Sequence, residues 1–171
     1  MYFIDVHRAL IVGSMYASSV VRFNDSITYP CFGDAGSAVI LDKVADNVEH
    51  GFIDCVYYTD SCDNDKIQLP ACGHSVERMN KLHKYYRRLE WVPFNTDFVV
   101  DVWGDMIHSV FERNDITDED IAYYLFSQFS NKYNQQTLDK IGNVDRTKYV
   151  FNADKYGYVE CSSPILALDE I

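Results

Sequence analysis

Gly33-Asp34-Ala35-Gly36-Ser37-Ala38-Val39-Ile40-Leu41 is the stretch on which the reading of this chain turns. It passes from a glycine-rich turn directly into an apolar strand. Glycine-rich turns can cradle phosphates. This one lacks the Lys-Ser/Thr of a phosphate loop and the glycine spacing of a dinucleotide fingerprint, so it reads as a backbone device and not as a nucleotide site. Upstream, Arg8-Ala9-Leu10-Ile11-Val12-Gly13 is a β-branched run ending at glycine, and it reads as a buried strand. Ser14 to Tyr29 is polar and mixed, a loop with a turn at Asn24-Asp25.

Downstream, Phe52 to Tyr58 alternates and predicts another strand. Asp60 to Asp65 is an acidic turn without the sixth-position Gly and twelfth-position Glu of an EF-hand. Ser75 to Trp91 reads as a helical segment ended by Pro93. It carries Arg78, Lys81, Lys84, Arg87 and Arg88, a basic cluster in an acidic chain. A solvated helix face explains that cluster first and a docking patch second. Thr96 before Asp97 predicts an N-cap. Phe98, Val99, Val102, Trp103, Met106, Ile107 and Val110 then follow helical spacing to about Arg113. Thr117 to Asp120 caps an acidic turn, and Ile121 to Phe126 reads as a buried strand. Asn131 to Ile141 is a helix stopped by Gly142. Tyr149 to Asn152 is a short strand and Asp154 to Gly157 a turn. Ser162-Ser163-Pro164 opens a last helix, with proline suited to its first turn. Strands separated by helices predict the α/β class, with a mixed, mostly parallel sheet packed between helices.

Composition narrows the function classes. The 171 residues are 47% hydrophobic and 24% charged, which suits a folded chain with a real core. The formal net charge of -11 argues against nucleic acid and against anionic membranes, because both need clustered Lys and Arg. No apolar run approaches the roughly 20 residues of a membrane span. The N-terminus has no signal-peptide pattern, so a cytoplasmic location is expected. Cys31, Cys55, Cys62, Cys72 and Cys161 are an odd set that suits free thiols. Cys55, Cys62, Cys72 and His74 contain no tight pair of ligands, so no metal is expected.

The motifs together resemble the ketosynthase III family of condensing enzymes, which have the thiolase fold. Gly33 to Ala38 is similar to the family's Gly-Asp-Gly-Ala-Gly-Ala segment, and Ala9 to Ser14 to the strand before it. Thr117-Asp118-Glu119-Asp120-Ile121 is similar to Thr-Pro-Glu-Asp-Ile, and Ser127-Gln128 stands where the family has His-Gln. Asp154-Lys155-Tyr156-Gly157 through Ala167-Leu168-Asp169-Glu170 is similar to Asp-Arg-Tyr-Gly-Asn through Ala-Leu-Asp-Glu. The motifs keep the family's order and cover nearly the whole chain, least well between Cys62 and Val92. The resemblance implies that residues 1–48 end the family's first half and residues 49–171 form a unit like its C-terminal half, without the final hairpin.

The resemblance also implies a chemistry. A cysteine takes up an acyl group as a thioester. A His and an Asn then stabilise an enolate as carbon dioxide leaves, and backbone N–H groups form an oxyanion hole. By this likeness the cysteine lies upstream of the opening strand. Ser127 holds the His position and Tyr158 the Asn position. A serine hydroxyl cannot become cationic at neutral pH, and a tyrosine would fill the space of an asparagine. Cys161, three residues past Tyr158, is the alternative nucleophile. Ser127 with His108 or His74 is the alternative hydrolytic pair, although no nucleophile elbow surrounds Ser127. Lys132 stands where the family carries an Arg at the phosphopantetheine entrance. With Lys81, Lys84, Arg87 and Arg88 it forms the candidate surface for substrate or carrier.

Three functions follow as expectations. The first is a condensing-enzyme subunit or fragment, catalytically incomplete alone and acting with a ketosynthase partner chain in fatty-acid or polyketide-type biosynthesis. The second is a divergent acyltransferase or thioester hydrolase using Cys161 or Ser127. The third is a module that binds acyl carrier protein. No cofactor is expected, and a coenzyme A or phosphopantetheine thioester is the substrate of any active form. Half of such a fold would expose apolar surface and open strand edges, so a hetero- or homo-oligomer is expected and not a lone monomer.

Overall fold

The computed structural model describes residues 6–44, 51–77 and 84–171. Its largest ladder is a hairpin of β1 (Arg8–Tyr16) and β2 (Asp34–Asp42), paired antiparallel over nine residue pairs from Arg8 with Asp42 to Tyr16 with Asp34. Both predicted strands are present, but β1 is longer than expected and largely exposed. Its β-branched run sets strand conformation; burial needs a covering layer that these residues do not supply. A 3-10 turn (Ala17–Ser19) and one helical turn, α1 (Thr28–Cys31), occupy the predicted loop. Ala17, Val21 and Leu89 form a small core there, with Met15 and Phe32 against it.

β3 (Ile67–Gln68) and β4 (Glu90–Trp91) pair antiparallel. The helix expected from Ser75 to Trp91 is instead a short α2 (His74–Glu77), a 3-10 turn (Lys84–Arg87) and β4, with residues 78–83, and so Arg78 and Lys81, outside the described residues. Residues 52–58 are likewise no strand. The segment alternates as predicted, but Asp54 is bonded to Arg113 and to Asn114 Nδ2 (2.9 Å), which fastens it to a helix end, and it pairs with no strand among the described residues.

α3 (Phe98–Asn114) and α4 (Asn131–Ile141) pack together through Gly104, which is buried under the Lys140 side chain. Lys140 Nζ reaches Asp101 at 2.8 Å and Asp105 at 2.9 Å. Asp97, not Thr96, is the residue before α3. Thr96 Oγ1 lies 2.7 Å from the Tyr133 hydroxyl, so it ties α3 to α4 where it was expected to cap a helix. Ser130 caps α4 by accepting a bond from Tyr133 N, and Gly142 ends it. Thr117 and Asp120 form a capping box where a capped acidic turn was expected.

Residues 121–126 and 149–152, expected as strands, are not strands: they flank α4 and meet only in an isolated parallel bridge, Tyr124 with Tyr149. α5 (Ala153–Tyr156), a 3-10 turn (Glu160–Ser162) and α6 (Ser163–Asp169) close the chain, and the last two pack on the β1–β2 hairpin. The α/β class therefore stands, with one correction to its detail. Among the described residues both ladders are antiparallel, and parallel pairing is limited to the two isolated bridges. A crossover over α4 brings two segments side by side in parallel, yet a ladder grows only when each has enough unpinned backbone to continue it.

Candidate functional site

Ser127 and Tyr158 meet. They come from the segment before α4 and from the turn after α5, near enough for the Ser127 side chain to act on the Tyr158 phenol. Each is positioned by its neighbours. Buried Gln128 donates from Nε2 to the carbonyls of Phe126 and Val150, both at 3.1 Å, and its Oε1 accepts from Asn152 N at 2.8 Å. Asn134 of α4 donates to the Ser127 carbonyl at 2.9 Å. These bonds fix the Ser127 backbone.

Tyr158 is fixed by a close crossing of two glycines. Its N–H donates to the Cys31 carbonyl at 2.7 Å, and its carbonyl accepts from Gly33 N at 3.0 Å. A Cβ on Gly33 would lie 1.9 Å from the Tyr156 carbonyl oxygen, and Gly157 has φ +72° with its own Cβ position 2.9 Å from Gly33 N. The glycine-rich turn thus lets backbone meet backbone, as a turn that is no phosphate site should.

Aromatic rings surround the pair. Tyr158 stands edge-on to Phe32 (5.3 Å between centroids) and to Phe129 (5.5 Å), and Phe129 stacks on Trp91 at 5.3 Å. Burial pushes the Tyr158 phenol above its ordinary value; the nearby Ser127 side chain pulls it down, while Glu160 and Cys161 push it up. Glu160 is itself raised by burial and sits in the left-handed region at φ 46°. Cys161 is exposed, and its Sγ lies 3.7 Å from the Ser14 carbonyl, against which its S–H points. His108, the other candidate for a hydrolytic pair, places Nε2 3.3 Å from the Lys140 carbonyl at the contact of α3 with α4.

The basic candidates divide. Arg88 donates to the Ser19 carbonyl (3.2 Å) and the Val21 carbonyl (2.9 Å), which braces the first loop. Lys84 and Arg88 border a recess of about 230 Å³ with Ser18, Val21, Phe23 and Tyr29. A neighbouring recess of about 370 Å³ shares Ser18, Val21 and Tyr29 and reaches Phe32 and Gly33. Arg87 ends its turn exposed, and Lys132 is exposed with Nζ 5.8 Å from the Tyr133 ring centre. Lys81 lies outside the described residues.

Sequence reading nominated Ser127, Tyr158 and Cys161, which lie close to one another here, but gave no sign of the ring wall of Phe32, Trp91 and Phe129. Single aromatics at scattered positions carry no spacing signal. Glu160 was also missed, since nothing local marks a left-handed glutamate. Another apolar opening, about 340 Å³, lies between Val56, α3 and residues 121–126, with Met106, Val110 and Phe126 on its walls. It gathers no polar groups suited to chemistry.

What the arrangement can do follows from its groups. Two neutral hydroxyls can donate to a carbonyl oxygen, but they offer no cation for an enolate, and rings occupy the surrounding space. No cluster of three metal-binding side chains occurs among the described residues. No helix among them is long and apolar enough to cross a membrane.

The layered hairpin, the crossover at α4 and the glycine crossing define a thiolase-like half. Comparison with known proteins gives the family. The model of 3-oxoacyl-(acyl carrier protein) synthase III matches residues 3–61, and the model of its C-terminal part matches residues 111–171. The chain belongs to the 3-oxoacyl-(acyl carrier protein) synthase III family. It is 28% identical to the beta-ketoacyl-(acyl carrier protein) synthase III of Clostridium novyi and 26% identical to that of Chlorobium chlorochromatii. Each match takes in 96% of this chain and 50% of the relative. The structure of the Pseudomonas aeruginosa synthase III superposes with TM-score 0.75 at 19% identity, covering 96% of this chain and 48% of that one. The priming beta-ketosynthase of the R1128 polyketide pathway gives 0.74 at 18% identity, again over 96% and 48%. The chain thus spans about half the length of the relatives it matches.

Proposed function

We propose that this chain is a ketosynthase III-type unit for acyl thioesters, catalytically incomplete alone, that works with a partner polypeptide in fatty-acid or polyketide-type chain building. The observation that carries the reading is the Ser127–Tyr158 contact. The two residues that the resemblance sets at the family's electrophilic positions are neighbours, and Phe32 and Phe129 pack edge-on against Tyr158, so its ring is held in a cluster. A decarboxylating condensation needs a nucleophile and a donor set converging on one developing oxyanion. The partner supplies what is lacking, and the setting is cytoplasmic.

The substrate arm is a coenzyme A or phosphopantetheine thioester, with acyl carrier protein as the carrier. Supporting this is the pair of adjoining recesses, which runs from Lys84 and Arg88 past Val21 and Tyr29 to Phe32, beside Tyr158. Lys132 and Arg87 provide exposed cations for an acidic carrier surface. No resident cofactor is required. The other reading, an acyltransferase or hydrolase using Cys161, draws on the exposed thiol next to Tyr158.

Mass spectrometry after incubation with acyl-coenzyme A and acyl carrier protein thioesters tests both readings. The chain alone stays unmodified and an adduct appears on the partner when both are present. An acyl group on Cys161 or Ser127 of the isolated chain, lost in Cys161→Ala or Ser127→Ala, overturns the first reading in favour of the second.

A further inference from the structure

Asn134 is fully buried on α4, and its amide does two things at once. Nδ2 carries two hydrogens. One goes to the Ser127 carbonyl and the other to the Tyr149 hydroxyl, both at 2.9 Å. The Tyr149 hydroxyl in turn donates to Asn131 Oδ1 at 3.1 Å. Asn131 and Asn134 are three residues apart, so they share one face of the helix, and Tyr149 bridges them. Burial pushes the Tyr149 phenol up, and Asn134 pulls it down. The direction of these bonds is fixed. Turning the amide over would set Oδ1 against the Ser127 carbonyl, acceptor against acceptor.

Stability does not account for this residue. Asparagine is a poor helix former. Among the described residues Asn134 Oδ1 is buried without a hydrogen-bond partner, and an orphaned acceptor costs stability. What the side chain secures is the Ser127 peptide. Gln128 anchors the chain just beyond it through Phe126, Val150 and Asn152, but those bonds do not touch the Ser127 carbonyl. A peptide held by its oxygen cannot turn about the chain, and a turn there would swing the Ser127 side chain away from Tyr158.

We infer that Asn134 and Tyr149 are positioning residues for Ser127, which tie its backbone to the first turn of α4. Asn131 opens that turn beside exposed Lys132, so the lock reaches the surface that the proposed function gives to the carrier. The inference rests on that reading for its purpose, since Ser127 stands at one of the two positions that the resemblance assigns to chemistry.

Carbon-13 NMR of the full chain tests it, read at the Ser127 carbonyl carbon and at the Tyr158 ring carbon that bears the hydroxyl. Tyr149→Phe keeps the ring that packs beside Phe126 and Phe151 and removes only the hydroxyl. Asn134→Ala removes the amide and leaves a good helix former. Leu138→Ala, equally buried one turn on, loses packing without touching the lock. The expected result is an upfield shift of the Ser127 carbonyl in Asn134→Ala and a shift in the same direction in Tyr149→Phe, with the Tyr158 carbon moving in both. In Leu138→Ala the melting temperature falls and both resonances stay. Resonances that ignore Tyr149→Phe, or that move as far in Leu138→Ala, overturn the inference. Where Asn134→Ala does not fold, Tyr149→Phe alone decides. The acyl-adduct assay separates the two ideas. The expected shifts without any adduct leave the lock standing and remove the catalytic reading. An adduct with unmoved resonances does the reverse.

Discussion

Tyr158 joins two roles, and substitution separates them. Its hydroxyl lies near Ser127 and its ring packs between Phe32 and Phe129. Tyr158→Phe removes only the hydroxyl and costs at most about 1 kcal/mol. Tyr158→Asn, the residue that the family resemblance implies here, deletes a half-buried ring, and large-to-small changes of aromatics cost about 3–5 kcal/mol when fully buried. Urea denaturation should therefore show Tyr158→Asn to be the more damaging by at least about 1 kcal/mol. Equal losses would mean that the ring carries no packing. Glu160, two residues on, supplies a pH signature. Partial desolvation raises its folded-state value above the unfolded one, while much of the residue stays exposed to water, so the effect is small. The protonated form is favoured in the fold, so its contribution is fully present below the ordinary glutamate value and is lost as pH rises through the raised one. At neutral pH the ionised carboxylate opposes folding. Glu160→Gln should raise the melting temperature at pH 7, with the gain shrinking towards zero below about pH 4. A gain that is constant with pH would assign the effect to something other than charge.

Among the elements, helices were the most legible because their signals are local. α3, α4 and α6 lie where apolar spacing, Gly142 and Pro164 placed them. The capping box at Thr117 was legible for the same reason. Strands were legible only in part, since a strand needs a partner that its own sequence does not name. Phe52 to Tyr58 alternates like a strand, yet Asp54 is held by Arg113 and Asn114 and no ladder forms. The sequence marked the candidate positions Ser127, Tyr158 and Cys161, but not the ring wall, whose Phe32, Trp91 and Phe129 come from three separate segments. Two substitutions probe the helix pair. Ser130→Ala removes the N-cap bond of α4 and costs about 1 kcal/mol by thermal or urea unfolding. Gly104→Ala sets two comparable effects against each other. It gains about 1 kcal/mol of helix propensity, while its Cβ would lie 2.6 Å from Lys140 Cδ and displace a side chain paired with Asp101 and Asp105. Exposed pairs are worth about 0–1 kcal/mol, so the net change stays within about 0.5 kcal/mol. A loss above about 2 kcal/mol would show that α4 itself is pushed away from α3.

At the scale of the molecule, apolar exposure and acidity pull in opposite directions. Leu10, Val12, Ile40 and Leu41 of the hairpin and Phe52, Ile53 and Tyr57 beyond it are all exposed large hydrophobics. Such surface drives association when nothing covers it. Each approach, however, brings together chains of net charge -11. That repulsion reaches about 30 Å at 0.01 M salt but only about 3 Å at 1 M. The hydrophobic attraction acts at contact and does not weaken with added salt. The isolated chain should therefore scatter as small particles in dilute buffer and as a broad, growing distribution as sodium chloride rises to about 0.5 M. Binding of an apolar dye should be present in both. A monodisperse monomer across the whole salt series would mean that the exposed side chains are tolerated by water as they stand, and the case for an incomplete fold would fall with it.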